Sequence, residues 1–124
     1  MFSLEPMMIS GREVLPLIEG GKGVSVSNGE SSGAWAKAGG VGTFSGVNAD
    51  HLDDNGNVVR QIYRGKTRRE RHNELIAYAI KGAVHQARVA REIGGPDARI
   101  HINILWEMGA AEPILEAVLE QAKG

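Results

Sequence analysis

The strongest constraint on this chain lies in Val14-Leu-Pro-Leu-Ile-Glu-Gly-Gly-Lys-Gly-Val24, where a short apolar run breaks directly into Gly20, Gly21 and Gly23. Such a run reads as a buried parallel strand that opens into a loop whose backbone must come close to something. A piece of buried helix has the same apolar character, but Pro16 and the glycines favour a strand. The chain then repeats the gesture as apolar run, small-residue turn, helix, Gly-Gly pair and next apolar run. Glycine makes up 17 of the 124 residues, about twice the usual share of roughly 7%. Because the apolar runs between the glycine pairs are intact, that excess implies tight connections and close backbone approach, not disorder.

Taken in order, Met7 to Val14 reads as a short hairpin turning at Ser10-Gly11, leading into a first main strand over Val14–Ile18. Asn28, Ser31 or Ser32 can cap a short helix carrying Ala34, Trp35, Ala36 and Ala38, which Gly39-Gly40 ends. Val41 to Ser45 is the second strand, and the crossover between the two should be right-handed. Residues 46–66 interrupt the rhythm with the polar turn cluster Asp50 to Asn57 and a more strand-like Val58 to Tyr63. A βα connection of that length is usually functional or mobile. Thr67-Arg-Arg-Glu70 has the spacing of a capping box. A long helix follows, with Leu75, Ile76, Ala79, Ile80, Ala83, Val84, Ala87, Ala90 and Ile93 on one broad apolar face. Gly94-Gly95-Pro96 stops it. Arg99 to Leu105 reads as the third strand, with Ile100, Ile102 and Ile104 on one side. A last helix begins near Pro113 with Ile114, Leu115, Val118 and Leu119 inward. The sum is one domain over residues 1–124, an α/β arrangement of three βα units behind an N-terminal hairpin. Three parallel strands are too few to close a sheet, so the architecture is open-ended.

Composition narrows the partners. A formal net charge of −1 provides no global field to attract nucleic acid or an anionic membrane. The sequence has no cysteine, which removes disulfides and thiolate metal sites and fits a cytoplasmic location. No apolar run approaches the roughly 20 residues of a membrane span, and the N-terminus lacks a secretory signal pattern.

In parallel α/β folds, sites form at the carboxyl ends of the strands. That rule selects residues 20–27, 45–48 and 103–109. Gly20, Gly21, Lys22 and Gly23 offer unhindered backbone N–H groups and one cation, suited to a planar or anionic cofactor. They equally suit tight strand–helix packing, and they match neither the P-loop nor the dinucleotide fingerprint. Asn103 projects from an otherwise apolar strand, where it either binds a ligand or satisfies a neighbouring backbone group. Trp106 and Glu107 stand at that strand's exit, as pocket walls or core. The histidines have no metal-ligand spacing. The Asp50–Asn57 cluster fails the calcium-loop register, since the twelfth position falls on Ile62. Arg64, Lys66, Arg68, Arg69 and Arg71 read as an exposed helix start. Arginines in a first turn oppose the helix dipole, which leaves an acidic partner as the second reading.

The segment Pro16 to Val24, followed by Gly33-Ala34 and by Ala38-Gly-Gly-Val-Gly-Thr-Phe-Ser45, resembles the N-terminal signature of the nitronate monooxygenases, formerly 2-nitropropane dioxygenases. His85-Gln-Ala-Arg88 and Ile102-Asn-Ile-Leu105 continue the likeness, which covers nearly the whole chain. That family consists of FMN-dependent (β/α)8 TIM-barrel oxidoreductases, and the flavin-dependent enoyl-ACP reductases of the same superfamily share the opening. The resemblance implies that the chain forms about three of the eight barrel units. It implies that backbone at Gly20, Gly21, Lys22 and Gly23 lies against the flavin, that Thr43 and Ser45 sit near the isoalloxazine, and that Asn103 hydrogen-bonds the flavin or its ribityl chain. Lys22 departs from the family's usual Met. A cation there would stabilise an anionic reduced ring or attract an anionic substrate. The family's catalytic histidine and its FMN-phosphate loops fall beyond residue 124, so the chain alone is expected to be catalytically incomplete. The implied activity is oxidation of nitronates or a related small acidic substrate, with NAD(P)H as an alternative electron source. Two other readings are an enoyl reductase, and a non-catalytic fragment that works only when a companion chain or a second copy completes the barrel. The 46–66 loop would be a lid or a dimer contact.

Overall fold

A computed structural model describes residues 3–122. Over these residues the fold is mixed α/β, in the order β1 (Met7–Ile9), β2 (Arg12–Val14), α1 (Gly29–Lys37), β3 (Val41–Ser45), α2 (Arg68–Gly94), β4 (Arg99–Asn103) and α3 (Ala111–Gln121). β1 and β2 form the expected antiparallel hairpin, with Met8 opposite Glu13. Its turn places Ser10 at φ 47° and Gly11 at φ 79°. A two-residue hairpin needs this left-handed pair to match the twist of its strands.

β3 and β4 pair in parallel, from Val41 opposite Arg99 to Ser45 opposite Asn103. The chain before α1 lies along the other edge of β3. The Val41 N–H donates to the Leu17 carbonyl at 2.8 Å and the Glu19 N–H donates to the Val41 carbonyl at 2.9 Å. Three parallel segments thus stand side by side in chain order. The expected strand over Val14–Ile18 is nevertheless not formed as a strand. It contributes one parallel bridge, Ile18 to Val41, and Leu17 and Ile18 are 46% and 52% exposed. Pro16 is the reason. It has no N–H for a ladder, and the Leu17 N–H donates back to the Leu15 carbonyl at 2.7 Å, a three-residue turn that interrupts extension.

Both long connections into helices are capped as the sequence implies. Asn28 and Ser31 form a reciprocal capping box on α1, and Thr67 and Glu70 form one on α2. Gly39 (φ 102°) and Gly95 (φ 90°) turn the chain out of these helices. α1 and α2 pack against each other through small residues. A Cβ on Gly33 would stand 2.7 Å from Ile93 Cβ and 2.9 Å from the Ala90 carbonyl oxygen. The core follows the same rule, with Ala49, Ala79, Ala83, Ala110 and Ile114 buried together and Ile102, Ile104 and Met108 packed against them. α3 supplies Ile114 and Ala117 to the interior, but Leu119, expected inward, is 64% exposed on its outer side.

The 46–66 connection contains a single antiparallel bridge, Leu52 to Val58. The strand expected over Val58–Tyr63 does not form, and Ile62 is 71% exposed. Side chains take the place of strand pairing. The Arg64 and Gly65 N–H groups donate to the Glu74 carboxylate, each at 3.0 Å to Oε1, and the Tyr78 hydroxyl donates to the Val59 carbonyl. At the other end, buried Gln86 donates through Nε2 to the Asp50 carbonyl at 2.6 Å and accepts the Gly29 N–H through Oε1 at 2.7 Å. One α2 side chain therefore fixes both the start of α1 and the exit from β3.

Gly82 tests this close packing. A Cβ at that position would overlap the Ala49 carbonyl. Helix propensity alone predicts that Gly82→Ala stabilises α2 by ~1 kcal/mol. Overpacking instead predicts a loss of about 1–3 kcal/mol, to be read as a lowered urea midpoint.

Candidate functional site

Side chains alternate along β3. A Cβ on Gly42 would overlap the Ser32 carbonyl of α1, so Gly42 faces the helices, and Thr43 and Ser45 lie with Val41 on the other face. Parallel register carries His101 and Asn103 of β4 to that same face. The loop after Glu19 folds over it. A Cβ on Gly21 would overlap Asn103 Cβ, lie 2.8 Å from Asn103 Cγ and 3.2 Å from Thr43 Cγ2. A Cβ on Gly23 would lie 3.9 Å from Ser45 Oγ. Gly21 and Gly23 of the loop therefore meet Thr43, Ser45 and Asn103 at the carboxyl ends of the parallel segments, and Gly20 does not.

These positions are not equivalent. Gly21 must be glycine because it packs on Asn103 and Thr43. Gly20 has no such reason: nothing lies within 4 Å of a Cβ built on it, and its φ is not left-handed. Lys22 uses its backbone within the loop, its N–H donating to Ser27 Oγ at 2.9 Å and its carbonyl accepting the Ser27 N–H at 3.1 Å. Ser27 Oγ donates to the Gly20 carbonyl at 3.2 Å, and the Ser27 carbonyl accepts the Ser45 N–H at 2.7 Å. Ser27 thus closes the loop and ties it to β3, leaving the exposed Lys22 ammonium as the part that can meet a ligand. Ser45 is fully buried, and its Oγ accepts the Val47 N–H at 3.2 Å. It shapes the exit from β3.

Glu19 was not singled out from sequence, yet it organises the site. It is 7% exposed. Its Oε2 accepts the Thr43 N–H at 3.1 Å and its Oε1 accepts the Ser31 hydroxyl at 2.8 Å. The carboxylate takes over the β3 donor that the departing backbone no longer serves, and it also holds the first turn of α1, where the helix dipole favours negative charge. The available signal was a lone carboxylate closing an apolar run immediately before glycines.

The aromatic, histidine and arginine groups lie elsewhere. Trp106 is 73% exposed, so it is not core. His51 and His85 meet edge-on with ring centroids 5.6 Å apart. Burial, then the charges of His51 and Arg88, holds the His85 pKa below its ordinary value. Among the described residues, no group of three or more His, Cys, Asp or Glu is placed to hold a metal. No helix among them is long and apolar enough to cross a membrane. Arg71 of the basic run donates through Nε to the Gly65 carbonyl at 2.9 Å, and Arg68, Arg69 and His72 border an open cavity of about 620 Å³ beside Tyr63. Compared with known proteins, the chain matches no protein-family model and no curated protein sequence.

Two predictions follow from these contacts. Glu19→Ala leaves the Thr43 N–H without its acceptor and the Ser31 hydroxyl with only its 3.2 Å bond to the Asn28 carbonyl, and should cost about 1–3 kcal/mol in denaturant unfolding. Glu19→Gln should recover part of the loss. His85 binds its proton more weakly folded than unfolded, so the unfolded chain is protonated first on acidification. Its contribution is complete above about pH 6.5 and is lost as the pH falls below that value. In His85→Gln the slope of melting temperature against pH should be shallower in that window.

Proposed function

We propose that this chain is the N-terminal wall of an FMN-dependent oxidoreductase of the nitronate monooxygenase kind, made of the first βα units of a (β/α)8 barrel. The observation that carries the reading is the convergence of Gly21 and Gly23 with Thr43, Ser45 and Asn103 at the carboxyl ends of neighbouring parallel segments. Sequential order of those segments adds to it, because a barrel places consecutive strands side by side while doubly wound sheets reverse order. The residues fit a flavin. Gly20 leaves open space that no neighbour in the chain requires, and Asn103 offers a carboxamide that can both donate and accept. In such a site FMN supplies the electron transfer. The chain's own residues perform the positioning: Glu19 and Ser27 fix the glycine loop, Gly20 and Gly23 admit a flat ring, and Asn103 orients it. The Lys22 ammonium sets a positive charge beside the ring, suited to a nitronate or another small anion.

Exposed Leu17 and Ile18 on the outermost parallel segment, with β4 paired on one side only among the described residues, favour a second element of the reading. Further βα units, whichever polypeptide supplies them, complete the sheet, and nitronate turnover needs that completion.

Titrating FMN into the chain should quench flavin fluorescence. Gly20→Val should abolish the quenching without lowering the melting temperature, since nothing lies within 4 Å of a Cβ at that position. Equal quenching by wild type and Gly20→Val, or none by either, counts against the flavin wall. Nitronate oxidation by the isolated chain at a rate typical of enzymes would overturn the requirement for completion.

A further inference from the structure

At the opposite end of the sheet, three arginines from separate elements meet. Arg12 of β2 donates through NH1 to the Ala98 carbonyl at 2.8 Å, and Arg91 from the last turn of α2 donates through NH1 to the same oxygen at 2.6 Å. Arg99 opens β4 and donates through NH2 to the hairpin carbonyls of Ile9 and Ser10, at 2.7 and 3.0 Å. These bonds pin the hairpin over the entry to the strands. They do not exhaust or neutralise the cluster. Each guanidinium carries five N–H donors, and each spends a single terminal nitrogen on carbonyls. The Nε atoms of Arg91 and Arg99 are buried and have no acceptor among the described residues.

All three arginines line one cavity of about 290 Å³, together with His101 and an apolar side formed by Phe44 and Ile102. We propose that this cavity is a binding site for a phosphate-class oxyanion, either inorganic phosphate or the phosphate of a small monoester. A tetrahedral dianion satisfies several planar forks at once, and guanidinium is the side chain best matched to it. The cavity is large compared with one phosphate group, because a water takes about 30 Å³ of liquid. The Phe44 and Ile102 side can therefore hold an ester's organic part. The electrostatics agree, since burial and then the charges of Arg12 and Arg99 hold the Arg91 pKa below its ordinary value. An anion relieves that repulsion. The site is separate from the glycine loop: Arg99 and Asn103 lie at opposite ends of β4, ~13 Å apart at the usual rise per residue.

The test is phosphorus NMR and calorimetry on the whole chain with inorganic phosphate, at constant ionic strength set by chloride. Saturable line broadening with matching heat is expected, and phenyl phosphate should bind more tightly than inorganic phosphate if the apolar side is occupied. Arg12→Gln should weaken binding about tenfold or more, and Arg12→Lys, which keeps the charge but not the fork, should recover only part. Tighter binding of phenyl phosphate assigns the monoester, and equal or weaker binding assigns the inorganic ion. Absence of saturable broadening with the wild-type chain overturns the proposal without recourse to a variant. Unchanged affinity in a folded Arg12→Gln chain also overturns it.

Discussion

The arrangement depends on a carboxylate standing in for backbone. Where the 15–19 segment leaves β3, the Thr43 N–H would face an empty ladder position, and burial makes an unserved donor costly. Glu19 fills the position with its side chain, which frees its own backbone to turn into Gly20 and Gly21. The same carboxylate reaches Ser31 in the first turn of α1. The strand's end, the loop's start and the helix's entry angle are consequently set by one residue. A loop held this way presents backbone to the space above the sheet without needing support from the far side of a pocket.

A second constraint is the smallness of the residues between layers. Glycine and alanine at the α1–α2 contact and beneath the 46–66 connection bring backbones close enough for Gln86 to bridge three elements with one amide. Large apolar side chains would hold α2 away and leave that amide without partners, a worse outcome than an apolar core. Small-residue packing and the buried polar bridge therefore require each other. Together they explain how a modest chain keeps a long helix in register with a short one.

Much of this was legible from pattern. Hairpin, caps, helix stops and β3 were marked by residues whose local physics allows few alternatives: Ser10-Gly11, Asn28, Thr67 with Glu70, and Gly95. The meeting of the glycine loop with Thr43 and Asn103 was implied by the rule that sites gather at strand ends. What pattern did not reveal depended on neighbours. Val14–Ile18 looks like a buried strand because its residues are apolar, yet Pro16 removes a donor and the segment has a partner on one edge only. Val58–Tyr63 has strand propensity but no strand beside it. Glu19 carries little local signal of its role, which exists only once β3 and α1 are in place. The arginines of the hairpin side are 87 residues apart in chain position between Arg12 and Arg99, and no local window joins them.

The 46–66 connection is fastened near both ends, by Gln86 at Asp50 and by Glu74 and Glu70 at residues 64–67, and in its middle by Tyr78 at Val59. Fastening divides one long closure into shorter ones, and loop-closure entropy grows only slowly with length. Most of the entropic cost is therefore met at the anchors, and residues between them add little. The turn between Leu52 and Val58 can accordingly lengthen, shorten or change sequence at small thermodynamic cost while the bridge and the strand ends stay fixed. In an evolving lineage this is where new recognition can be tried without disturbing the sheet.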